Sequence, residues 1–193
     1  MTALQFTNVN LILEKQLIPH KESISTAIRN IDVKVISVEP NTFKVCYELT
    51  GDLTQLRIPS PQQQPASVEG LWKHTCFEMF IAVESEDNYH EFNFSPSCQW
   101  AAYAFNNYRL RNEWICCQSP RICINQSSGR FLLEAEITTT DLSVNIDNKS
   151  LQINLTAVLE EQDGSLSYWA LQHSDIYPDF HNRAGFIPLN HQN

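Results

Sequence analysis

The sequence predicts an all-β protein, an antiparallel β-sandwich of the immunoglobulin-like or jelly-roll-like kind. Apolar and polar residues alternate in many short runs, which is the pattern of strands with one buried face. Turn residues such as Gly51-Asp52 and Asp163-Gly164 separate these runs, and no segment carries a convincing amphipathic helix pattern. Roughly eight to ten short strands at this spacing are typical of a sandwich or barrel.

The predicted strands follow one another at short intervals. Alternation is clearest at residues 31–35 and 43–49, which are predicted to form a hairpin around Pro40-Asn41. The turn at Asp163-Gly164 predicts a second hairpin. The strands of this hairpin are 151–159 and 166–171. Further strands are predicted at 75–83, 89–95, 100–105 and 131–137.

We predict one domain spanning residues 1–193, a length that a single sandwich can reach. Residues 1–30 show no clear pattern and are predicted to be an N-terminal extension. Residues 59–70 contain three Pro and three consecutive Gln. Because Pro cannot donate to a sheet, this stretch is predicted to be a long loop that leads into Trp72.

The charge balance argues against two classes of partner. The formal net charge is −9, and the 13 Lys and Arg residues form no basic run, so we expect neither a nucleic-acid nor a membrane partner. No stretch approaches the roughly 18 apolar residues of a spanning helix, and the N-terminus lacks the pattern of a signal peptide. We therefore predict a cytoplasmic protein with reduced cysteines; its oligomeric state is left open.

The first candidate for a binding role is Glu78, which lies within the most apolar run of the chain. A buried carboxylate without a partner costs several kcal/mol, so it should have a cationic partner or face a wet cavity. Lys73, His74, Arg109 and Arg183 are the candidate partners. An ion pair that holds the sandwich together would explain Glu78 equally well.

The strand at 89–95 has two unlike faces. Glu91 and Asn93 share one face with Ser95, whereas the intervening His and Phe residues share the other, which is predicted to pack in the core. The polar face is either solvated or the floor of a groove. Whether it aligns with Glu78 depends on the hairpin register, because a slip of one residue reverses every side chain.

Two tryptophans are candidate platforms for a sugar, since aromatic rings can stack on the apolar C–H faces of sugars. Trp72 precedes Lys73-His74, and Trp169 lies in an aromatic strand, although core packing is the commoner role of a sandwich Trp. The loop at 173–183 adds His173, His181 and Arg183. These His residues lack the spacing of a metal site, so no metal and no catalytic residue are predicted.

The chain resembles the DOMON-like proteins, which are relatives of the family 9 carbohydrate-binding module. The resemblance rests on residues 70–78 (GLWKHTCFE), 91–96 (EFNFSP), 100–103 (WAAY), 167–171 (SYWAL) and 178–181 (PDFH). It implies a β-sandwich with a ligand site on or between its sheets. In the sugar-binding modules Trp rings and polar strand residues hold the sugar; Glu78 resembles their carboxylate position, whereas Asn93 falls where they place an arginine.

The leading hypothesis is a non-catalytic β-sandwich that binds a small polar ligand, a saccharide or sugar derivative. Trp72 and Trp169 would stack on it, and Glu78, Asn93, Arg109 and His181 would supply hydrogen bonds. The full set of candidate ligand-binding residues is Trp72, Lys73, His74, Glu78, Glu91, Asn93, Arg109, Trp169, His173, His181 and Arg183.

Two alternatives remain open. Exported DOMON domains bind haem through one Met and one His, which makes a haem-binding electron carrier with Met79 as axial ligand the first alternative; no other cofactor is expected. The second alternative is an enzyme that acts on a sugar derivative and uses Glu78 or His181 as acid or base.

Overall fold

Two antiparallel sheets pack face to face in the computed structural model, which describes residues 10–39, 41–62, 66–140, 142–143, 146 and 149–189. In chain order the strands are β1 (Asn10–Gln16), β2 (Ile18–Pro19), β3 (Ile28–Glu39), β4 (Thr42–Gly51), β5 (Cys76–Val83), β6 (Tyr89–Phe94), β7 (Trp100–Asn107), β8 (Leu110–Arg111), β9 (Arg121–Ser127), β10 (Arg130–Thr138), β11 (Leu151–Glu160), β12 (Leu166–Ala170) and β13 (Ile187–Leu189). The predicted all-β sandwich is confirmed.

The first sheet has the strand order β1-β3-β4-β10-β9, and the second has the order β2-β12-β11-β5-β6-β7-β8. β13 pairs with β11 beside this path. The predicted hairpins β3–β4 and β11–β12 are both present, and Gly164 supplies the positive φ of 89° that the second turn requires.

The N-terminal segment is part of the sandwich over its described residues, which corrects the prediction of an extension at 1–30. β1 pairs with β3 in the first sheet, and β2 pairs with β12 in the second. Leu17, between them, is buried in the core. Pro19 fits β2 because this strand lies at a sheet edge, where no ladder hydrogen bond is lost. Residues 1–9 lie outside the described part of the chain.

The predicted loop at 59–70 contains no strand in its described residues 59–62 and 66–70. It is held by one isolated parallel bridge between Ser67 and Trp100. Gly70 then adopts a left-handed φ of 81°, which turns the chain into a short 3₁₀ helix, Leu71–Lys73. This turn brings Trp72 to the second sheet, where its ring meets Tyr103.

The central strand β5 is covered on both faces, and every one of its residues is buried. Phe77, Met79 and Ile81 face the first sheet and belong to the main core. Phe80, on the opposite face, packs instead against Phe186 from the segment 171–186. We call this segment the covering segment, and we call the side of the second sheet that it lies against the outer face.

The register of β5 and β6 answers the question that the sequence left open. Glu78 pairs directly with Asn93, and Thr156 of β11 pairs with Glu78 from the other side. Glu91, two residues before Asn93, therefore points to the same outer face. Phe92 lies on the inner face and packs in the core, as predicted.

The described residues contain no helix that is both long enough and apolar enough to cross a membrane.

A hydrogen bond through the core connects the two sheets behind the outer face. The buried Tyr47 of β4 donates its hydroxyl to the backbone carbonyl of Glu78 at 2.6 Å. We expect Tyr47→Phe to lower the free energy of unfolding by about 1 kcal/mol, because one buried hydrogen bond is lost without a change in volume. Urea denaturation followed by fluorescence measures this difference.

Tyr177→Phe is the matched control. The Tyr177 side chain is exposed, so removal of its hydroxyl breaks no buried hydrogen bond. An unchanged unfolding midpoint for Tyr47→Phe would show that the link between the sheets contributes no stability.

Candidate functional site

A cavity of about 430 Å³ opens on the outer face of the second sheet. The sheet contributes Glu78, Glu91, Tyr103 and Tyr168, with Val158 and Phe105 between them. The covering segment adds Pro178, Phe180 and His181. Trp72 and Glu69 from the loop before β5, together with Arg109 and Arg111 from the turn and strand after β7, complete its lining. We call it the outer-face cavity.

Two buried carboxylates are the central polar groups of this cavity. Glu78 and Glu91 are diagonal neighbours on adjacent strands, and both side chains are almost wholly buried. Glu78 accepts a hydrogen bond from the Thr156 hydroxyl at 3.1 Å. Glu91 accepts one from the Asn93 amide at 2.6 Å, and Asn93 in turn accepts from the Cys76 thiol at 3.4 Å.

Burial changes the protonation of both acids. It raises the pKa of Glu78 well above its ordinary value, and the nearby charge of Glu91 raises it further. Burial also raises the pKa of Glu91 to about 7, although the Asn93 hydrogen bond and the positive charge of Arg109 act in the opposite direction. At neutral pH burial therefore favours the neutral carboxylic acid at Glu78, and it makes Glu91 hold its proton far more tightly than an exposed glutamate does.

His181 faces this pair from the covering segment. Its Nε2 lies 3.6 Å from a carboxylate oxygen of Glu91, and its ring meets Phe80 and Phe105 edge-on. The Tyr89 hydroxyl accepts from the backbone N–H of Arg109 and lies 2.8 Å from Nδ1 of His181. If this hydroxyl donates to Nδ1, the proton of a neutral ring is on Nε2, the nitrogen closest to Glu91.

Burial, together with the charge of Arg109, lowers the pKa of His181 to about 4. The imidazole is therefore neutral at pH 7 and does not neutralise Glu91.

Arg109 anchors the covering segment to the sheet. It has a left-handed φ of 53° in the turn between β7 and β8, and its guanidinium bonds Asp179 at 2.8 Å. The Tyr108 hydroxyl donates to the same carboxylate at 2.7 Å. Although burial raises the pKa of Asp179, these two contacts outweigh it and lower that pKa, so Asp179 remains a charged partner.

Aromatic surface forms the other side of the cavity. Trp72 is 37% exposed and meets Tyr103 edge-on, with ring centroids 5.8 Å apart. The Arg111 guanidinium lies 4.0 Å from the centre of the Tyr103 ring and pairs with Glu69 at 2.7 Å. The combination gives flat apolar surface next to fixed hydrogen-bonding groups.

Five of the predicted ligand-binding residues line this cavity, namely Trp72, Glu78, Glu91, Arg109 and His181. Asn93 lies directly behind them. It is fully buried and orients Glu91.

The two other residues predicted on the central strands lie in the core. Trp169 is 3% exposed and donates its indole N–H to Ser167, so the prediction that it stacks on a ligand is wrong. Its neighbour Tyr168 lines the cavity instead, because successive side chains of a strand face opposite ways. Met79 is fully buried between the sheets. Haem ligation through Met79 therefore does not fit this structure, and Met1 lies outside the described residues.

The remaining predicted residues lie away from the outer-face cavity. Lys73 and His74 line a second cavity of about 610 Å³, where His74 pairs with Glu160 at 2.7 Å. His173 bonds the backbone carbonyl of Ile18 at 2.8 Å. Arg183 donates to the Val83 and Glu86 carbonyls. The contacts of His173 and Arg183 hold the chain in place and do not bring either residue to the cavity.

Sequence reasoning missed several lining residues, notably Tyr103, Arg111, Tyr168 and Phe180. Tyr103 pairs with Glu91 across β6 and β7 and so shares its face; the alternation in 100–105 contained this signal, but only with the register known. Arg111 and Phe180 are brought in by a turn and a loop, which carry no periodic signal.

The described residues include no group of three His, Cys, Asp or Glu that could hold a metal ion. The meeting of Glu78, Glu91 and His181 is therefore not a metal centre of the kind that three close ligands would form.

Comparison with known proteins gives the class of the fold. An inferred carbohydrate-binding protein from Bacteroides uniformis matches with a TM-score of 0.67 and 15% identity over 92% of this chain and 85% of its own. A family 9 carbohydrate-binding module from Caldicellulosiruptor kristjanssonii, solved with cellotriose, matches with a TM-score of 0.50 and 10% identity over 96% and 81%. At these identities the likeness establishes the β-sandwich fold alone.

No protein-family model matches the chain, and no curated protein matches it. The DOMON-like affiliation therefore stays a prediction.

The Glu91–His181 pair predicts opposite effects of two substitutions on the pH dependence of stability. The pKa of Glu91 is about 7 in the folded protein against an ordinary 4.5. Its contribution to stability is therefore present below pH 4.5 and is lost as the pH rises toward 7. The pKa of His181 is about 4 against an ordinary 6.5, so its contribution increases as the pH rises through the same window.

We expect Glu91→Gln to make the slope of unfolding free energy against pH more positive between pH 5 and 6.5. His181→Gln should make it more negative. Each change is at most about 1.4 kcal/mol per pH unit, the value for one proton. Urea denaturation at several pH values measures the slopes, with Glu39→Gln on the exposed end of β3 as control. Parallel profiles for all four proteins would contradict the assignment of protonation states.

Proposed function

We propose that this protein is a non-catalytic saccharide-binding module whose ligand occupies the outer-face cavity. The observation that carries the proposal is the juxtaposition of buried acids and aromatic surface. Glu78 and Glu91 lie on one side of the cavity, and the exposed Trp72 and the buried Tyr103 lie on another. A sugar needs both surfaces, because its C–H faces are apolar and its hydroxyls require donors and acceptors.

The protonation states suit hydroxyl recognition. A protonated Glu78 can both donate and accept a hydrogen bond, an ionised Glu91 accepts, and the guanidinium of Arg111 only donates. Each sugar hydroxyl can likewise donate and accept. Because these groups are held by strand pairing, little conformational entropy is lost when they bind. A volume of about 430 Å³ lies within the usual range for a small-molecule site.

The comparisons support the proposal at the level of architecture. One structural neighbour is described as an inferred carbohydrate-binding protein, and the other was solved with cellotriose. Sandwiches of this shape therefore include sugar-binding modules. Which saccharide this chain binds is decided by its own residues, since few are shared at 10–15% identity.

We expect Trp72→Ala and Glu78→Leu each to weaken saccharide binding at least about tenfold, equivalent to about 1.4 kcal/mol. Trp72→Ala removes the stacking surface, and Glu78→Leu removes both the donor and the acceptor with little change in the size of the side chain. A glycan array identifies the ligand of the wild-type protein, and calorimetry then measures the affinities.

Tyr177→Ala is the control for Trp72→Ala, because Tyr177 is an exposed aromatic residue of the covering segment that does not line the outer-face cavity. If the wild-type protein binds a saccharide and both cavity variants bind it equally well, the site has been placed wrongly. If the wild-type protein binds no glycan, the proposed function fails.

One observation favours a second candidate function, acid–base catalysis on a sugar derivative. A carboxyl group with a pKa of about 7, such as Glu91, is suited to proton transfer at neutral pH. This candidate requires turnover on a panel of glycosides and sugar phosphates, with loss of turnover in Glu91→Gln. Binding without turnover by the wild-type protein would exclude it for those substrates.

A further inference from the structure

The acidic side chains of the outer-face cavity are not all matched by a cation among the described residues. The cavity is lined by the acidic residues Glu69, Glu78 and Glu91 and by the guanidinium groups of Arg109 and Arg111. Each arginine already has a carboxylate of its own: Arg109 bonds Asp179 at 2.8 Å, and Arg111 bonds Glu69 at 2.7 Å. Glu78 and Glu91 are left over, and no Lys or Arg of the described chain forms an ion pair with either.

The second cavity contains a buried carboxylate that does have cationic partners, and it serves as a comparison. Glu160, almost as buried as Glu78 and Glu91, pairs with Arg57 at 2.7 Å and with His74 at 2.7 Å. Among the described residues, the ion-pair contact of Glu91 is with the neutral His181 at 3.6 Å, and Glu78 accepts a hydrogen bond from the Thr156 hydroxyl. The acids of the outer-face cavity therefore lack the internal cation that Glu160 has.

Both acids also keep hydrogen-bonding capacity that the protein does not use. A carboxylate can accept about four hydrogen bonds, whereas Glu78 accepts one from Thr156 and Glu91 one from Asn93. Both groups line the cavity. A ligand placed there can reach oxygens whose only other partners are neutral donors.

We infer that the ligand of this site carries a protonated amine on its sugar ring, that is, that the site takes an amino sugar whose ammonium group binds between Glu78 and Glu91. This inference rests on the proposed function, which supplies the saccharide and the cavity. It adds the charge of the ligand, which neither the fold nor the structural neighbours indicate.

The chemistry of an ammonium group matches what the site lacks. It brings one positive charge and three N–H donors to two acids that have no cation, and such charge-assisted hydrogen bonds are about twice as strong as neutral ones. Trp72 and Tyr168 line the same cavity, and aromatic rings attract a nearby cation; the Tyr103 ring already has the Arg111 guanidinium 4.0 Å from its centre. A hydroxyl at the same position brings no positive charge, so the free-energy cost of burying an ionised Glu91 is not offset.

The titration of the site agrees with this arrangement. In the absence of ligand, burial favours the protonated form of both Glu78 and Glu91. Other titratable and charged groups facing the pair are Arg109, Arg111, Glu69, Tyr89, Tyr103 and the neutral His181. An incoming ammonium favours the ionised form of Glu91, so binding near neutral pH should release protons from the site.

The experiment compares matched sugars that differ only at C2. Glucosamine, galactosamine and mannosamine are each titrated against the 2-hydroxy hexose of the same configuration and against the N-acetyl derivative, by calorimetry at pH 7. We expect at least one amino sugar to bind tenfold or more tightly than both neutral counterparts. Calorimetry in two buffers of different ionisation enthalpy should show that binding releases protons.

Lowering the pH provides an independent readout. Because the ionised form of Glu91 pairs best with the ammonium, the affinity for the amino sugar should fall as the pH is lowered from 7 to 5 and Glu91 becomes protonated. The affinity for a neutral sugar should change much less. Glu91→Gln should abolish the preference for the amine and flatten its pH dependence.

Glu39→Gln removes one carboxylate from the exposed end of β3 and is the control for a general change in net charge. A circular-dichroism melt of each variant shows whether it is folded. If neutral sugars bind as tightly as amino sugars in every configuration, the inference is overturned while the proposed function stands. If no sugar binds in any form, both fail.

Discussion

The structure depends on the coverage of β5 from both sides. The first sheet packs on its inner face, and the covering segment packs on its outer face, so all eight of its residues are buried. An ordinary sandwich strand leaves one face in water and keeps its charges there. Here the outer face is enclosed as well, so the Glu78 side chain has little contact with the solvent that would stabilise its ionised form. The unusual chemistry of the cavity follows from this enclosure.

The covering segment is positioned by a few polar contacts as much as by its aromatic residues. Asp179 joins it to Arg109 and Tyr108, and Arg183 attaches it to backbone carbonyls near the end of β5. The contact of Phe186 with Phe80 adds apolar burial. Arg109 and Arg183 hold the covering segment in this way and are therefore not available to pair with Glu78 and Glu91. These positive charges serve the architecture, and the two acids of the cavity are kept protonated by burial instead of being neutralised by a cation.

The proposed binding role and the inferred charge of the ligand follow from this division. A cavity lined by aromatic rings and unpaired buried acids is costly for the free protein, since burial raises the pKa of both Glu78 and Glu91. Sites that store such an electrostatic cost are commonly functional. A ligand that supplies hydrogen bonds and positive charge would offset it. Part of the free energy of binding would then come from offsetting the unfavourable burial of these two acids in the folded protein.

The sequence by itself determined the class of fold, most of the strands and the residue types of the site. Alternation revealed β3, β4, β10 and the hairpin β11–β12, because one face of each contacts the core; a carboxylate in the apolar run of β5 marked Glu78. It could not place β1 and β2, whose short runs carry little periodic signal, or choose Tyr168 over Trp169. Only the tertiary structure decided that Glu78 and Asn93 are opposite each other and that Arg109 is engaged by Asp179. The physical reason is that register and loop placement depend on contacts between distant parts of the chain, and a period of two along one strand does not encode its alignment with the next.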